Sequence, residues 1–159
     1  MNVYKVLIVN GPNMNMLGRR ETSVYGSMTL DEIIELTRAH SYGANVKIDH
    51  FQSNFEGDLI DRIQNARDSY DLIVINAGGL THTSICLRDA LILSEVPFVE
   101  VHISNIFARE DFREQSVTAD RALCFIAGGG VHAYALGVMA GINHLKLRNE
   151  SAKDKSLEE

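Results

Sequence analysis

The sequence predicts an α/β protein built on a parallel sheet. Two observations carry that prediction. Five short apolar, β-branched runs recur along the chain, at 4–10, 45–51, 71–76, 97–102 and 121–127. The stretches between them are filled by residues of helical period. Buried parallel strands read as near-continuous apolar runs because crossover helices cover both faces of the sheet. A third observation bounds the size. At 159 residues, 45% hydrophobic and 23% charged, the chain has the length and composition of one globular domain. Whole-chain disorder, collagen-like repeats and a disulfide scaffold are excluded.

The helix starts follow in order. Thr29-Leu-Asp-Glu32 and Ser53-Asn-Phe-Glu56 both have capping-box form, a hydroxyl at the N-cap and a carboxylate three residues on, which satisfies orphan amides reciprocally. Thr81 to Ser84 opens a third helix, with Ile85, Leu87, Ala90, Leu91 and Leu93 on its apolar face. After a Gly128-Gly-Gly130 turn, 131–147 reads as a last helix rich in small and aliphatic residues. Residues 1–148 form the expected domain, and 149–159 the expected disordered polar tail. There are no repeats and no linker.

Charge and cysteine usage narrow the function classes. Fifteen basic against 21 acidic residues give a net charge of −6, which opposes nucleic-acid phosphate and anionic lipid as partners. No apolar run approaches the roughly 20 residues of a membrane span. The first 11 residues lack a basic n-region and a cleavage site. Cys86 and Cys124 lie in apolar stretches and read as buried thiols of a reducing compartment. A cytoplasmic protein is expected.

The unusual residues follow the strand ends. They are Asn10-Gly-Pro-Asn13, Gln52-Ser-Asn54, Asn76-Ala-Gly-Gly-Leu-Thr-His82 and His102-Ile-Ser-Asn105. Ligands of open α/β sheets bind beyond the carboxyl ends of the strands, so a site is expected at that edge. The loop 11–28 spans 18 residues, where about 2–6 is usual. It reads either as a solvated loop or as a lid hinged at Gly18 and Gly26. An arginine held beside Tyr25 would favour the phenolate and make a general base. Bringing a phenol from about 10 to neutrality takes about 4 kcal/mol of differential stabilisation.

His82 and His102 invite a metal, but no HxxxH, CxxC or carboxylate cluster accompanies them. The competing reading has Glu100, two residues before His102 on one strand face, fixing the imidazole tautomer for acid–base work. His40, His50 and His144 read as surface bystanders. None of the five lysines, Lys5, Lys47, Lys146, Lys153 and Lys155, falls in the strand-end motifs, which disfavours a Schiff base. A GxSxG elbow, a P-loop and a dinucleotide fingerprint are all absent. Ser104, at the start of an expected helix, would offer its hydroxyl and backbone amides to a carboxylate. Arg109 and Arg113 are spaced for one helical face, solvated or gripping a ligand. A binding module for a nucleotide or flavin and a metal-dependent hydrolase stand as the alternatives to an enolate-forming enzyme.

Taken together, these motifs resemble one family. Asn10-Gly-Pro-Asn13, Leu17-Gly-Arg-Arg-Glu21, Val24-Tyr-Gly26, Gln52-Ser-Asn54, Thr81-His-Thr-Ser84, Leu87-Arg-Asp-Ala90, Glu100-Val-His-Ile-Ser-Asn105 and Ala108-Arg-Glu-Asp-Phe-Arg113 match type II 3-dehydroquinate dehydratase in order and spacing, over about residues 4 to 145. The resemblance implies a flavodoxin-like fold with sheet order 2-1-3-4-5, and trimers assembled into a homododecamer. It also implies a lyase of the shikimate pathway or of quinate catabolism. Such an enzyme eliminates water from 3-dehydroquinate through an enolate, without cofactor or metal. Carried over by position, Tyr25 is the base and Arg20 stabilises the phenolate. Asn13 holds a water against the enolate oxygen, and His102, oriented by Glu100, protonates the leaving hydroxyl. Ile103 and Ser104 meet the substrate carboxylate, Asn76, His82 and Arg113 hold ring hydroxyls, and Asp89 reaches in from a neighbouring subunit.

Two positions depart from that family, which usually has proline where this chain has Thr22 and Ala77. Losing proline widens the conformations a loop must give up on ordering. Activity is therefore expected with a less ordered lid. Replacing Thr22 or Ala77 by proline should tighten substrate affinity, measured as KM; an unchanged KM in both variants contradicts this reading.

Overall fold

A computed structural model describes residues 3–19, 23, 26–41 and 45–156, with side chains to Ser151. It holds one five-stranded sheet of order β2-β1-β3-β4-β5, with every neighbouring pair parallel. The strands are β1 (Tyr4–Asn10), β2 (Val46–Gln52), β3 (Leu72–Asn76), β4 (Phe98–His102) and β5 (Cys124–Ala127). The helices are α1 (Leu30–His40), α2 (Glu56–Gln64), α3 (Ile85–Leu93) and α4 (Ala133–Ser156). This is the doubly wound, flavodoxin-like order, with its switch point between β1 and β3.

Strand alternation sorts the core into two layers. Val6, Ile8, Val74, Val99 and Val101 face α1 and α4, where they pack with Ile33, Tyr134 and Val138. Leu7, Val9, Ile73, Ile75 and Phe98 face α2 and α3, against Leu59, Ile63, Leu87 and Leu91. Period-2 alternation thus serves both faces at once. Glycine lets α4 lie close to the sheet: a Cβ on Gly137 would press on Val101 and Val74, and one on Gly141 on Leu72.

Several sequence expectations are corrected. The α1 capping box forms as expected, with Thr29 and Glu32 bonding each other's amides. Ser53 does not form one: α2 begins after Phe55 with no side-chain cap. Instead the Ser53 hydroxyl accepts from Phe55 N–H and donates to Asp58, while Glu56 accepts from Ser84 across to α3. Ile85 and Leu93 are exposed; Leu87, Ala90 and Leu91 alone carry the buried face of α3. Cys86 is exposed, and Cys124 is half-buried, packed against the edge of one core layer. His50 is no surface bystander, since its Nε2 is buried with no partner among the described residues.

The connection from β4 to β5 departs furthest from the sequence reading. It contains no α-helix, only 3-10 turns at Ile106–Ala108, Asp111–Arg113 and Ala119–Arg121. Arg121, expected in the fifth strand, lies in the last of these. Arg109 accordingly follows the first turn and Arg113 ends the second, so they do not share one helical face. The first turn is capped by Asn105, whose side chain accepts from Phe107 N–H, and not by Ser104. At the other end α4 continues past Leu147 to Ser156, in place of a polar tail from residue 149. No glycine or proline interrupts 148–156, and Ser151 bonds the Leu147 carbonyl. Among the described residues no helix is long and apolar enough to cross a membrane.

Gly11 marks where the fold and the site meet. Its N–H donates to the Asn76 carbonyl at 2.8 Å, and a Cβ there would collide with the Ala77 backbone. Gly11→Ala should lower unfolding free energy by about 1–3 kcal/mol, the range for overpacking. Denaturant unfolding checks this; unchanged stability would mean the β1 and β3 ends can separate freely.

Candidate active site

Beyond the carboxyl ends of β1, β3 and β4 lies a cavity of about 160 Å³, lined by Asn13, Asn76, His82, His102, Ile103 and Ser104, with Arg109 and Arg113. Each comes from the end of a strand or from the turn that follows it. Asn13 holds φ at 68°, a left-handed conformation that asparagine tolerates better than most residues. Its N–H donates to Asn54 Oδ1 at 2.8 Å. Gln52 Nε2 donates to the Gly11 carbonyl at 3.3 Å and to Asn54 Oδ1 at 3.2 Å. The motif after β2 is therefore a brace for the loop after β1.

Asn76 belongs to a buried polar floor. Its Nδ2 donates to the Tyr134 hydroxyl at 3.0 Å, and its Oδ1 accepts from Gly78 N–H at 3.2 Å. The Tyr134 hydroxyl in turn donates to Asn10 Oδ1. One hydroxyl on α4 thus ties together the side chains that end β1 and β3. Asn10 Nδ2 has no partner among the described residues.

β4 presents Glu100 and His102 on one face, two residues apart. Both are buried, at 1% and 5% exposed, and His102 Nε2 donates to Glu100 Oε1 at 2.7 Å. The carboxylate takes further donors: Ser116 Oγ lies 2.8 and 2.9 Å from its two oxygens, and Thr118 Oγ1 lies 2.6 Å from Oε2. The Phe125 ring packs beside His102, with centroids 5.4 Å apart. His82 Nδ1 donates to the Gln115 carbonyl at 2.7 Å, so each cavity histidine has one ring nitrogen committed to the protein. Among the described residues no three His, Cys, Asp or Glu side chains gather to hold a metal ion.

Ile103 and Ser104 are fixed from behind. Their carbonyls accept from Gly130 and Gly128 amides, both at 3.0 Å. Those two glycines have φ of 58° and 79°, values that favour glycine. Arg113 Nε donates to Glu110 Oε2 at 2.8 Å, and Arg109 Nε lies 3.7 Å from the same oxygen. The cavity wall thus carries two arginines that share one carboxylate, and is rich in donors suited to an oxygen-rich anion.

Of the residues singled out in the sequence, Asn13, Asn76, His82, His102, Ile103, Ser104 and Arg113 meet at this cavity, with Glu100 directly behind His102. Asp89 does not line it; it is exposed on α3. Arg20, Thr22 and Tyr25 lie outside the described residues. Gly18 and Gly26, the expected hinges, both have positive φ, 81° and 77°. Sequence reasoning placed Asn10 in a strand-end motif but missed its partner Tyr134, and missed Ser116 and Thr118. Tyr134 left a signal, a polar-tipped aromatic between alanines on an otherwise small-residue helix face.

Burial pushes the Tyr134 phenol well above its ordinary value. In the unfolded chain it ionises from about pH 10, so its stabilising contribution is complete below that pH and is lost as pH rises beyond it. The slope is about 1.4 kcal/mol per pH unit. Tyr134→Phe should destabilise by about 1–3 kcal/mol below pH 10, leaving two amides short of a partner, and should remove that alkaline slope. Urea unfolding from pH 8 to 11 checks it; a difference between the two proteins that stays constant with pH contradicts the assignment.

The family model for dehydroquinase class II matches residues 4–142. The chain is 52% identical over 143 residues to a 3-dehydroquinate dehydratase of Prochlorococcus marinus (strain NATL1A), covering 89% of this chain and 97% of that one. It is 45% identical over 145 residues to a catabolic 3-dehydroquinase of Verticillium alfalfae, covering 91% and 97%. A type II dehydroquinase from Butyrivibrio crossotus superposes with a TM-score of 0.84 at 39% identity, over 87% of this chain and 97% of that one. With the motifs in register, the sheet order shared and the cavity at the strand ends, this chain belongs to the class II dehydroquinase family.

Proposed function

We propose that this protein is a hydro-lyase that converts 3-dehydroquinate to 3-dehydroshikimate by anti elimination through an enolate, without a cofactor. The observation that carries the reading is the buried Glu100–His102 pair beside a cavity lined by Asn13, Asn76, His82, Ser104 and Arg113. An acid–base histidine next to a donor-rich cavity suits a polyhydroxylated keto acid.

In this mechanism the Tyr25 phenolate, favoured by Arg20, takes the proton from the carbon beside the ketone. The electron pair moves into the carbonyl, and a water held by Asn13 donates to the resulting enolate oxygen. As the enolate collapses, the carbon–oxygen bond to the leaving hydroxyl breaks and His102 supplies the proton that makes it water. With its Nε2–H donated to Glu100, His102 supplies the proton from Nδ1 of the imidazolium form, whose charge the Glu100 carboxylate balances, and is left as the neutral Nε2–H tautomer. The Ser104 hydroxyl and the Ile103 and Ser104 amides bind the substrate carboxylate, while Asn76, His82 and Arg113 hold the ring hydroxyls. Tyr25 and Arg20 take their roles from the motif match alone. We further place the enzyme in the cytoplasm, with residues 1–148 as its catalytic domain. The same reading makes it a dodecamer of trimers, in which the exposed Asp89 reaches a neighbouring subunit's site.

Appearance of the conjugated enone, followed by ultraviolet absorbance with chelator present, is the expected result for the intact protein. Tyr25→Phe should lower kcat by at least about 100-fold, the scale of a lost general base, while substrate still binds. Well-folded protein that makes no enone would overturn the reading, and near-normal turnover by Tyr25→Phe would overturn the base assignment.

A further inference from the structure

Glu100 holds more donors than its histidine partner requires. A carboxylate this deeply buried needs its lone pairs met, and one short segment of the β4–β5 connection supplies the donors. That segment is anchored on both sides. Val117 N–H donates to the Thr81 carbonyl at 2.9 Å, the Val117 carbonyl accepts from Arg88 Nη1 at 2.6 Å, and Arg88 also pairs with Asp120. Thr118 is 2% exposed, and its hydroxyl meets Glu100 Oε2 while His102 meets Oε1. It does not line the cavity.

We propose that Thr118, assisted by Ser116, is a positioning residue for the reaction: by holding the Glu100 carboxylate in one plane it fixes the orientation and tautomer of His102. The inference rests on the function proposed above. The terminal torsion of a glutamate is broad and shallow, so a single bond from His102 does not set the carboxylate plane. A second donor on the far oxygen does. Packing alone would be served by valine, which has the shape of threonine without the hydroxyl. A hydroxyl enclosed here is therefore explained by the bond it makes. Ser116 reinforces it, lying between both carboxylate oxygens and accepting from Thr118 and Ala119 amides at 3.2 and 3.0 Å.

The test is a set of variants in the full-length protein. Thr118→Val should lower kcat about tenfold, the scale of a hydrogen bond to a charged group, with KM within about twofold. Thr118→Ser, which keeps the hydroxyl, should recover most of that loss. On a Glu100→Gln background, Thr118→Val should cost little more, because the two changes act through one carboxylate. Independently of turnover, the His102 Nε2 proton resonance should move in Thr118→Val and stay near its original position in Thr118→Ser. Unchanged kcat in Thr118→Val, no recovery in Thr118→Ser, a full further loss on the Glu100→Gln background, or an unmoved imidazole resonance would each overturn the proposal. Intact protein inert toward 3-dehydroquinate would instead overturn the functional reading, leaving the resonance to decide the role of Thr118.

Discussion

A carboxylate buried near the end of a central strand constrains everything around it. Glu100 is 1% exposed, on a strand otherwise made of Phe98, Val99, Val101 and His102. Enclosing such a group without partners is far costlier than any single apolar contact returns. The chain meets the demand with His102 on the same strand and with two hydroxyls from the following connection. Supplying those hydroxyls means bringing 116–118 back over the edge of the sheet. Three 3-10 turns make up that connection, with no crossover helix between β4 and β5.

The same return path organises the cavity. In passing, it offers the Gln115 carbonyl to His82 and sets Arg113 against the lining. The opposite wall is held by amides rather than charge. Asn76, Tyr134 and Asn10 form a chain of hydrogen bonds from β3 through α4 to β1, and Gln52 and Asn54 brace the loop above it. Both histidines are thereby pre-oriented by protein contacts. Rigid placement of reacting groups is worth more in a reaction than in a bound complex. Cavity geometry and fold stability consequently share the same bonds, and at their junction a Cβ on Gly11 would collide with the Ala77 backbone.

Much of this was legible in the sequence, for identifiable reasons. The first four strands were placed to within a residue: two-sided burial makes β1, β3 and β4 nearly continuous apolar runs, while the edge strand β2 carries Lys47, Asp49 and His50 and is mostly half-buried. The Glu100–His102 bond followed from spacing on a strand, where residues two apart share a face. What failed depended on contacts distant in sequence. Ser53 and Glu56 have the letters of a capping box, yet each found a partner elsewhere, Glu56 in Ser84, 28 residues on. Ser116 and Thr118 look like loop residues until Glu100, 16 and 18 residues back, is folded beneath them. Arg109 and Arg113 had helical spacing without a helix to realise it. Helical periodicity in a short polar segment is weak where a buried charge dictates the path.

In the mechanism proposed above, the buried Glu100 carboxylate acts through His102 and not directly on a ligand. Steady-state kinetics of Glu100→Gln test it most directly, since glutamine keeps the shape and removes the charge. In Glu100→Gln, kcat should fall at least about 100-fold, the scale of a disabled general acid, while KM stays close to that of the unaltered protein. A kcat within about twofold of the unaltered protein, or a loss confined to KM, would contradict it.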